Sequence, residues 1–521
     1  MISLLDRRWT VETVAVMFTS HTWRRSHQSS NVSALDPADH VLRGRCRSVA
    51  QAERGSVSAA FSRSPNDLGG PDAARTIISM TAPTLDRRAF LAGSALAGAL
   101  ALTGCPRSGS DRTPAAAPLE LSAGLSDWNN VRAQFALDPK LAHFAAFVLA
   151  AHPAPVRVAI ARWRDKLDAD AATVVRDESA HDDAVRAAAA RYLGVAADEI
   201  ALTDSTTMGL GLTYNGLRLR PGDHVLTSTH DFLSTHEALR LTAARTGAEV
   251  ERVPLYDDPA AASADEIVSR VRAAVRPATR LAALTWVHSS TGVKVPIREI
   301  AESLREVNSG RAPEDRVLLS VDAVHGLGAE GPGPSELGCD VFISGTHKWL
   351  FGPRGTGLMW IRRDAWAAFT PIIPTFTGPS AGAWLTGRAA PLVFGLDGTP
   401  GGYKAFEHRW AVADAFAFHL MIGKDRVAAR TRELATRLKD GLAALDHVRL
   451  VTPRDPALSA GIVCVAVAGY EPAQVVTALR EDHGIVASVT PYREQFVRLG
   501  PSIVTTPEQV DSAVRALAAL K

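Results

Sequence analysis

The chain has 521 residues, more than one domain usually holds, and its 46% hydrophobic and 21% charged content is that of a globular protein with a large core. Fifty-seven Lys and Arg against 55 Asp and Glu give a formal charge of +2, which offers no case for nucleic acid or for a generally basic, membrane-binding surface. None of the four cysteines (Cys46, Cys105, Cys339, Cys464) lies at metal-ligand spacing, so neither a metal site nor a disulfide framework is expected.

Residues 1–79 show no sustained helical or strand period and read as an unstructured or mis-assigned extension, with Met80 the expected initiator. Arg87-Arg88-Ala89-Phe90-Leu91 opens a short run rich in Ala, Leu and Gly that ends near Thr103. A charged pair before a short apolar core is the layout of an export signal, here over 80–105, and the pattern resembles the twin-arginine class. The run is too short for a spanning helix, which needs roughly 20 apolar residues. Leu102-Thr103-Gly104-Cys105 resembles a lipoprotein-processing box, which would place a lipid anchor on Cys105. Residues 106–125 are rich in Pro, Ala, Ser and Gly and read as a flexible tether.

Beyond the tether, helical and strand patterns alternate. Ala180 to Tyr192 is a strong helix former, followed by the strand-like Glu199 to Thr203. His224 to Thr227 predicts a strand, then a polar loop and a helix from Glu237. Further apolar runs cover 282–287, 317–321 and 340–344. Such runs, mostly separated by helices, predict an α/β fold with a mostly parallel sheet covered on both faces, assigned to 126–400. A long helical pattern over about 407–444 then leads into a smaller C-terminal α/β domain, so that 401–521 forms a linking helix and small domain.

Ligands of such sheets gather beyond the carboxyl ends of the strands. Asp322 and Lys348 each follow an apolar strand there. Alone, an Asp in that position is commonly a helix cap and a Lys a surface residue. Together they suit one chemistry: a buried neutral amine attacks a carbonyl to form an imine, and a carboxylate keeps a pyridine nitrogen protonated so that the ring acts as an electron sink.

The stretch from Val321 to Trp360, with VDAVHG and ISGTHKWLFGPRGTGLMW, resembles the class V aminotransferase family of fold type I pyridoxal-phosphate enzymes, which includes cysteine desulfurases and isopenicillin N epimerase-like proteins. The likeness runs from about 135 to the end. It implies pyridoxal 5'-phosphate as cofactor, held by Lys348 as a Schiff base and paired through its ring nitrogen with Asp322. It also implies that His325 bonds near the ring oxygen and that His347, Thr206 and Thr207 hold the phosphate. The family often has an acidic residue where Met208 stands. By the same resemblance His230 stacks on the ring, with Phe232 as the alternative, and Ser289 faces the substrate. Thr399, in a G-T-P element, would reach the phosphate of a neighbouring subunit, which implies a homodimer. Arg498 would grip the substrate carboxylate, with Arg493 the substitute.

The expected activity is that of a pyridoxal-phosphate enzyme on an amino acid or derivative, as an aminotransferase or an isopenicillin N epimerase-like protein. The alternatives are a cysteine desulfurase or lyase, or a non-catalytic binding protein that keeps the fold. No cysteine stands in GIVASVTPYREQFVRLG, which disfavours sulfur transfer through a persulfide. A twin-arginine route would deliver the protein folded and loaded, so the expected location is periplasmic, or membrane-anchored on the outer side of the cytoplasmic membrane.

Overall fold

The computed structural model describes residues 124–388 and 391–520. The extension 1–79, the export signal, Cys105 and nearly all of the tether lie outside the described residues. Among the described residues, no helix is long and apolar enough to cross a membrane.

A short strand β1 (Ala142–His143) precedes the seven strands of the main sheet: β2 (Ile200–Thr203), β3 (His224–Ser228), β4 (Glu249–Val253), β5 (Thr279–Thr285), β6 (Leu318–Asp322), β7 (Val341–Gly345) and β8 (Gly357–Ile361). The sheet order is β2-β8-β7-β6-β5-β3-β4. Strands β3 to β7 are parallel, whereas β8 runs antiparallel to both β2 and β7. The carboxyl ends of β2, β3, β5, β6 and β7 therefore all lie along one edge.

Successive strand residues point to opposite faces, and both faces of this sheet are covered. Ala282 and Leu284 of β5 enter one apolar core, with Ile300 and Leu304 of the helix Ile297–Asn308. Leu281 and Ala283 enter the other, with Leu210 and Tyr214 of α1 (Thr206–Gly216). Two strands lack the expected apolar signature or were not foreseen. The edge strand β4 reads EVERV, with charges facing solvent as an edge requires, and β8 falls inside the motif stretch that ends at Trp360.

The small domain holds a four-stranded antiparallel sheet of β9 (Val448–Leu450), β10 (Val463–Val467), β12 (Ser488–Val489) and β13 (Val497–Leu499), in the order β12-β13-β10-β9. Strand β11 (Ile485–Val486) instead pairs in parallel with β1. Phe144 lies in the small-domain core, and Ala145 bridges to Gly500. The segment 142–145 thus pairs and packs with the C-terminal domain. The long helical pattern after 406 is three helices, Phe406–Trp410, Val412–Ile422 and Lys424–Ala443. Gly423, at φ 98°, turns the chain between the last two.

Candidate functional site

The carboxyl edge of the main sheet opens into a cavity of about 230 Å³ that the small domain helps to enclose. Lys348, Asp322, His325, His347, Thr206 and Thr207 all line it, as do Ser289 and Arg498.

Asp322 is the last residue of β6 and is 2% exposed. Its Oδ1 accepts the Val324 N–H at 3.1 Å. Burial pushes its carboxyl up to about 6, although the Val324 bond and the Lys348 charge pull the other way. Burial likewise lowers the Lys348 amine to about 8, with Asp322 opposing the shift and Arg498 adding to it.

The loop after β7 is held tightly. Phe351 donates its N–H to the Lys348 carbonyl, and Gly352 donates to the Thr346 carbonyl. Phe351 sits at φ 56°, a left-handed conformation that costs a bulky residue about 1–2 kcal/mol. Its buried ring packs edge-on against Phe135, and that burial holds the turn in place.

The protonation of His325 follows from its partners. Trp349 Nε1 can only donate, and it reaches His325 Nδ1 at 3.3 Å. Burial holds this imidazole neutral, so its proton resides on Nε2, which lies 3.3 Å from Lys348 Nζ. In that state His325 donates and Lys348 accepts as a free amine. Gly326 lets Trp286 close on this turn, because a Cβ there would come within 1.9 Å of the indole.

Thr206 and Thr207 open α1. Ser205 caps the helix by accepting the Met208 N–H at 3.1 Å. Thr206 Oγ1 accepts the Gly345 N–H at 2.7 Å, which leaves its own hydrogen to donate. Hydroxyls at a helix N-terminus favour an anion. Two buried polar atoms of cavity-lining residues, His347 Nδ1 and Thr285 Oγ1, have no partner within the protein. A polar group bound in the cavity would satisfy them. The residues present therefore fit a phosphorylated pyridine aldehyde: an amine, a carboxylate beside it, and an anion cradle.

Arg498, in β13, is 6% exposed, and no carboxylate is among the groups that act on its charge within the described residues. Its Nε donates to Ser488 Oγ and its Nη1 to the Ser289 carbonyl, both at 3.1 Å. The guanidinium lies 4.4 Å from the centre of the Phe147 ring. Ser289 Oγ meets Tyr492 Oη at 2.7 Å, which ties the two domains together.

Three of the residues named from the sequence, His230, Thr399 and Arg493, are not among those lining the cavity. His230 stacks on Tyr256, with centroids 3.9 Å apart, and burial lowers its imidazole to about 3. Phe232, the alternative, does line the cavity. Thr399 is 5% exposed, and its hydroxyl is engaged within its own chain: it donates to the Gly395 carbonyl at 2.7 Å and accepts the Leu202 N–H at 3.0 Å. That bonding commits the hydroxyl's hydrogen to Gly395 within its own chain. Arg493 is exposed and does not line the cavity.

Sequence reasoning missed several residues. Phe147, Val148, Ser234 and Pro491 line the cavity. Asp231 stands behind it as a brace: its carboxylate accepts from Thr227 Oγ1, Ser228 N and Thr285 N, joining the ends of β3 and β5. An Asp three positions beyond the end of an apolar strand was the available signal for that brace.

Comparison with known proteins agrees with this architecture. The aminotransferase class-V family model matches residues 175–491. The isopenicillin N epimerase of Streptomyces clavuligerus is 26% identical over 415 residues, covering 76% of this chain and 99% of that protein. A cysteine desulfurase of Cronobacter sakazakii is 24% identical over 295 residues, 54% of this chain and 67% of its own length. Among solved structures, a C-DES mutant with glycine covalently linked to its PLP cofactor has a TM-score of 0.67 at 21% identity, covering 74% of this chain and 98% of that one. The apo cysteine desulfurase of Thermococcus onnurineus has a TM-score of 0.63 at 19% identity, covering 75% and 97%. The structural likenesses establish the fold, and the family match establishes descent: the chain belongs to the class-V aminotransferase family of pyridoxal-phosphate enzymes.

Proposed function

We propose that this protein is a pyridoxal-phosphate enzyme that labilises the α-carbon of an amino acid or amino-acid derivative, as an aminotransferase or an epimerase-like enzyme, with Lys348 as the covalent anchor of the cofactor. One observation carries the reading: the Lys348 amine, lowered to about 8, shares a buried cavity with the strand-end carboxylate of Asp322.

Asp322 would hold a proton at the pyridine nitrogen, and His325, with its proton on Nε2, would donate toward the ring oxygen. Thr206, Thr207 and His347 would hold the phosphate, and Phe232 is the cavity-lining ring for stacking. The cofactor supplies an electron sink for the pair left on the substrate's α-carbon. Arg498 would orient the substrate carboxylate. A neutral Lys348 amine would take the α-proton.

Borohydride reduction of the cofactor-loaded protein, followed by peptide mass mapping, tests this reading. A pyridoxyl adduct is expected on Lys348, and Lys348→Ala should lose the visible absorbance. An adduct on another lysine would refute the assignment.

A desulfurase or lyase activity also fits the family. Cys339 and Cys464, the cysteines among the described residues, are both buried and neither lines the cavity. Burial pushes the Cys464 thiol up to about 12. Neither serves as a ready persulfide carrier.

The same proposal extends to assembly and address. A homodimer is supported by the exposed Phe376, Trp384, Leu385 and Tyr403, at 64%, 81%, 63% and 80% exposure, which crowd one segment. Twin-arginine export, with a lipid on Cys105, is supported by the Arg87-Arg88 motif and the Leu102–Cys105 box. Light scattering tests the dimer, and mass analysis of the natural N-terminus tests the export.

A further inference from the structure

Glu330 ties together three segments that surround the cavity, although it does not line the cavity itself. It closes the turn that follows β6: Leu327 donates its N–H to the Ala323 carbonyl, and Ala329 and Glu330 both donate to the Gly326 carbonyl. That turn starts at Asp322 and contains His325, so Glu330 is fixed to the cofactor-facing side. Its side chain is 3% exposed, and Oε2 is shared by two cations, Lys294 Nζ at 3.2 Å and Arg432 Nη1 at 3.3 Å. The other oxygen, Oε1, has no partner within the protein, so both ion pairs rest on one atom.

Lys294 belongs to the loop between β5 and the helix Ile297–Asn308, bridged to Val287 across that loop, with Ser289 near its tip. The small domain grips the same loop. Lys294 donates its N–H to the Leu458 carbonyl at 2.8 Å and its ammonium to the Pro456 carbonyl at 3.2 Å. Thr452 Oγ1 donates to the Thr291 carbonyl at 2.7 Å. Gly292, at φ 77°, leaves no slack, because a Cβ there would come within 2.5 Å of Thr452 Oγ1. Arg432 stands on the helix Lys424–Ala443, and Arg498 is bonded to this loop through the Ser289 carbonyl.

We infer that Glu330 is a positioning residue: by pairing with Lys294 and Arg432 it sets the Ser289 loop, and through that loop the Arg498 guanidinium, at a fixed place relative to the cofactor turn. This rests on the reading of Arg498 as the substrate's carboxylate anchor. A buried carboxylate that serves two cations loses both pairings at once when its charge is removed. The effect reaches a ligand only through the loop, and a small displacement of an orienting group is enough to be felt in the rate.

Aminooxyacetate and methoxyamine test this, since both carry an aminooxy nitrogen that forms an oxime with the cofactor aldehyde and only the first carries a carboxylate. Oxime formation is followed by the visible absorbance of the cofactor-loaded protein, each rate being divided by that with free pyridoxal phosphate. Wild type should prefer aminooxyacetate by at least about tenfold. Glu330→Gln, which removes the charge and keeps the shape, should cut that preference at least about fivefold while the methoxyamine rate stays within about twofold. Arg432→Gln, at the more exposed end of the triad, should cut it at least about twofold and decides the matter if Glu330→Gln does not fold. In an Arg498→Lys background either substitution should change the preference by less than about twofold, because the fork it positions is gone. Folded variants that keep the wild-type preference, slow both reagents equally, or add their full effect to that of Arg498→Lys overturn the inference and leave the anchor standing. A coloured wild type without preference overturns the anchor reading and the inference with it. Protein that stays colourless after cofactor addition overturns the cofactor reading and both that rest on it.

Discussion

Arg498→Lys isolates the part played by the guanidinium's shape from the part played by its charge. A guanidinium carries five N–H groups, and the protein engages two of them, at Ser488 Oγ and the Ser289 carbonyl. The remaining N–H groups are free for a carboxylate, while the two protein bonds fix the plane in which they lie. A lysine ammonium has three donors on one atom and cannot serve both protein acceptors and a carboxylate fork. One charge-assisted hydrogen bond of about 1.5–3 kcal/mol is therefore lost, equivalent to about 10- to 150-fold in affinity. The assay is spectral titration of cofactor-loaded wild type and variant with an amino acid and with the amine that lacks its carboxylate. Affinity for the amino acid should fall by that factor, and affinity for the amine should stay within about twofold. Equal weakening of both ligands would refute the argument, since it would mean the substitution disturbed the cavity and not a carboxylate contact.

Cofactor attachment should depend on pH, because it requires a neutral Lys348 amine and an ionised Asp322 carboxylate. Burial sets these near about 8 and about 6, so the attachment rate to apoprotein should climb between those values and level off above them; a flat stopped-flow profile would contradict it. Tyr492→Phe removes one hydrogen bond to Ser289 across the domains. It should raise KM by about 2- to 10-fold with the cofactor absorbance unchanged, and loss of that absorbance would point to a different role. Asp231→Asn puts an amide N–H against at least one of three inward-pointing donors. A loss of about 2–4 kcal/mol is expected, to be read as a lower thermal midpoint, and an unchanged midpoint would show that the brace carries no stability. Gly326→Ala should also destabilise, by about 1–3 kcal/mol or more through overpacking against Trp286; an unaltered melting curve would count against the close approach.

The main sheet was legible because its buried parallel strands are short apolar runs, and because Asp322 and Lys348 follow two of them directly. What escaped depends on partners distant in sequence. Strand β1 has two residues, and its ladder partner lies more than three hundred residues onward. Tyr492 and Ser289 are 203 positions apart, and no local pattern joins them. Phe147 acquires its role from Arg498 and Trp349, neither nearby in the chain. Strand β4 escaped for a different reason, since an edge strand with charged outward residues lacks the apolar signature. The intrachain bonds of Thr399 to Gly395 and Leu202 were likewise invisible in its motif, because both partners are set by the fold.

The pairing of β1 with β11 also sets a timetable for synthesis. Ala142 aligns with Ile485, so 343 residues separate the two strands. At roughly 5–20 residues per second, a nascent chain carries Ala142 for about 17 to 70 s before its partner is made. Phe147 and Val148 follow β1 directly, and Arg498 emerges later still. On the proposed reading, the side chain assigned to the substrate carboxylate is therefore made after those assigned to the cofactor. A ribosome-bound chain stopped short of Ile485 could already form the main-sheet strands that carry Asp322 and Lys348, but it could not yet carry Arg498. The groups assigned to the cofactor and the group assigned to the substrate carboxylate thus enter the chain at separate moments.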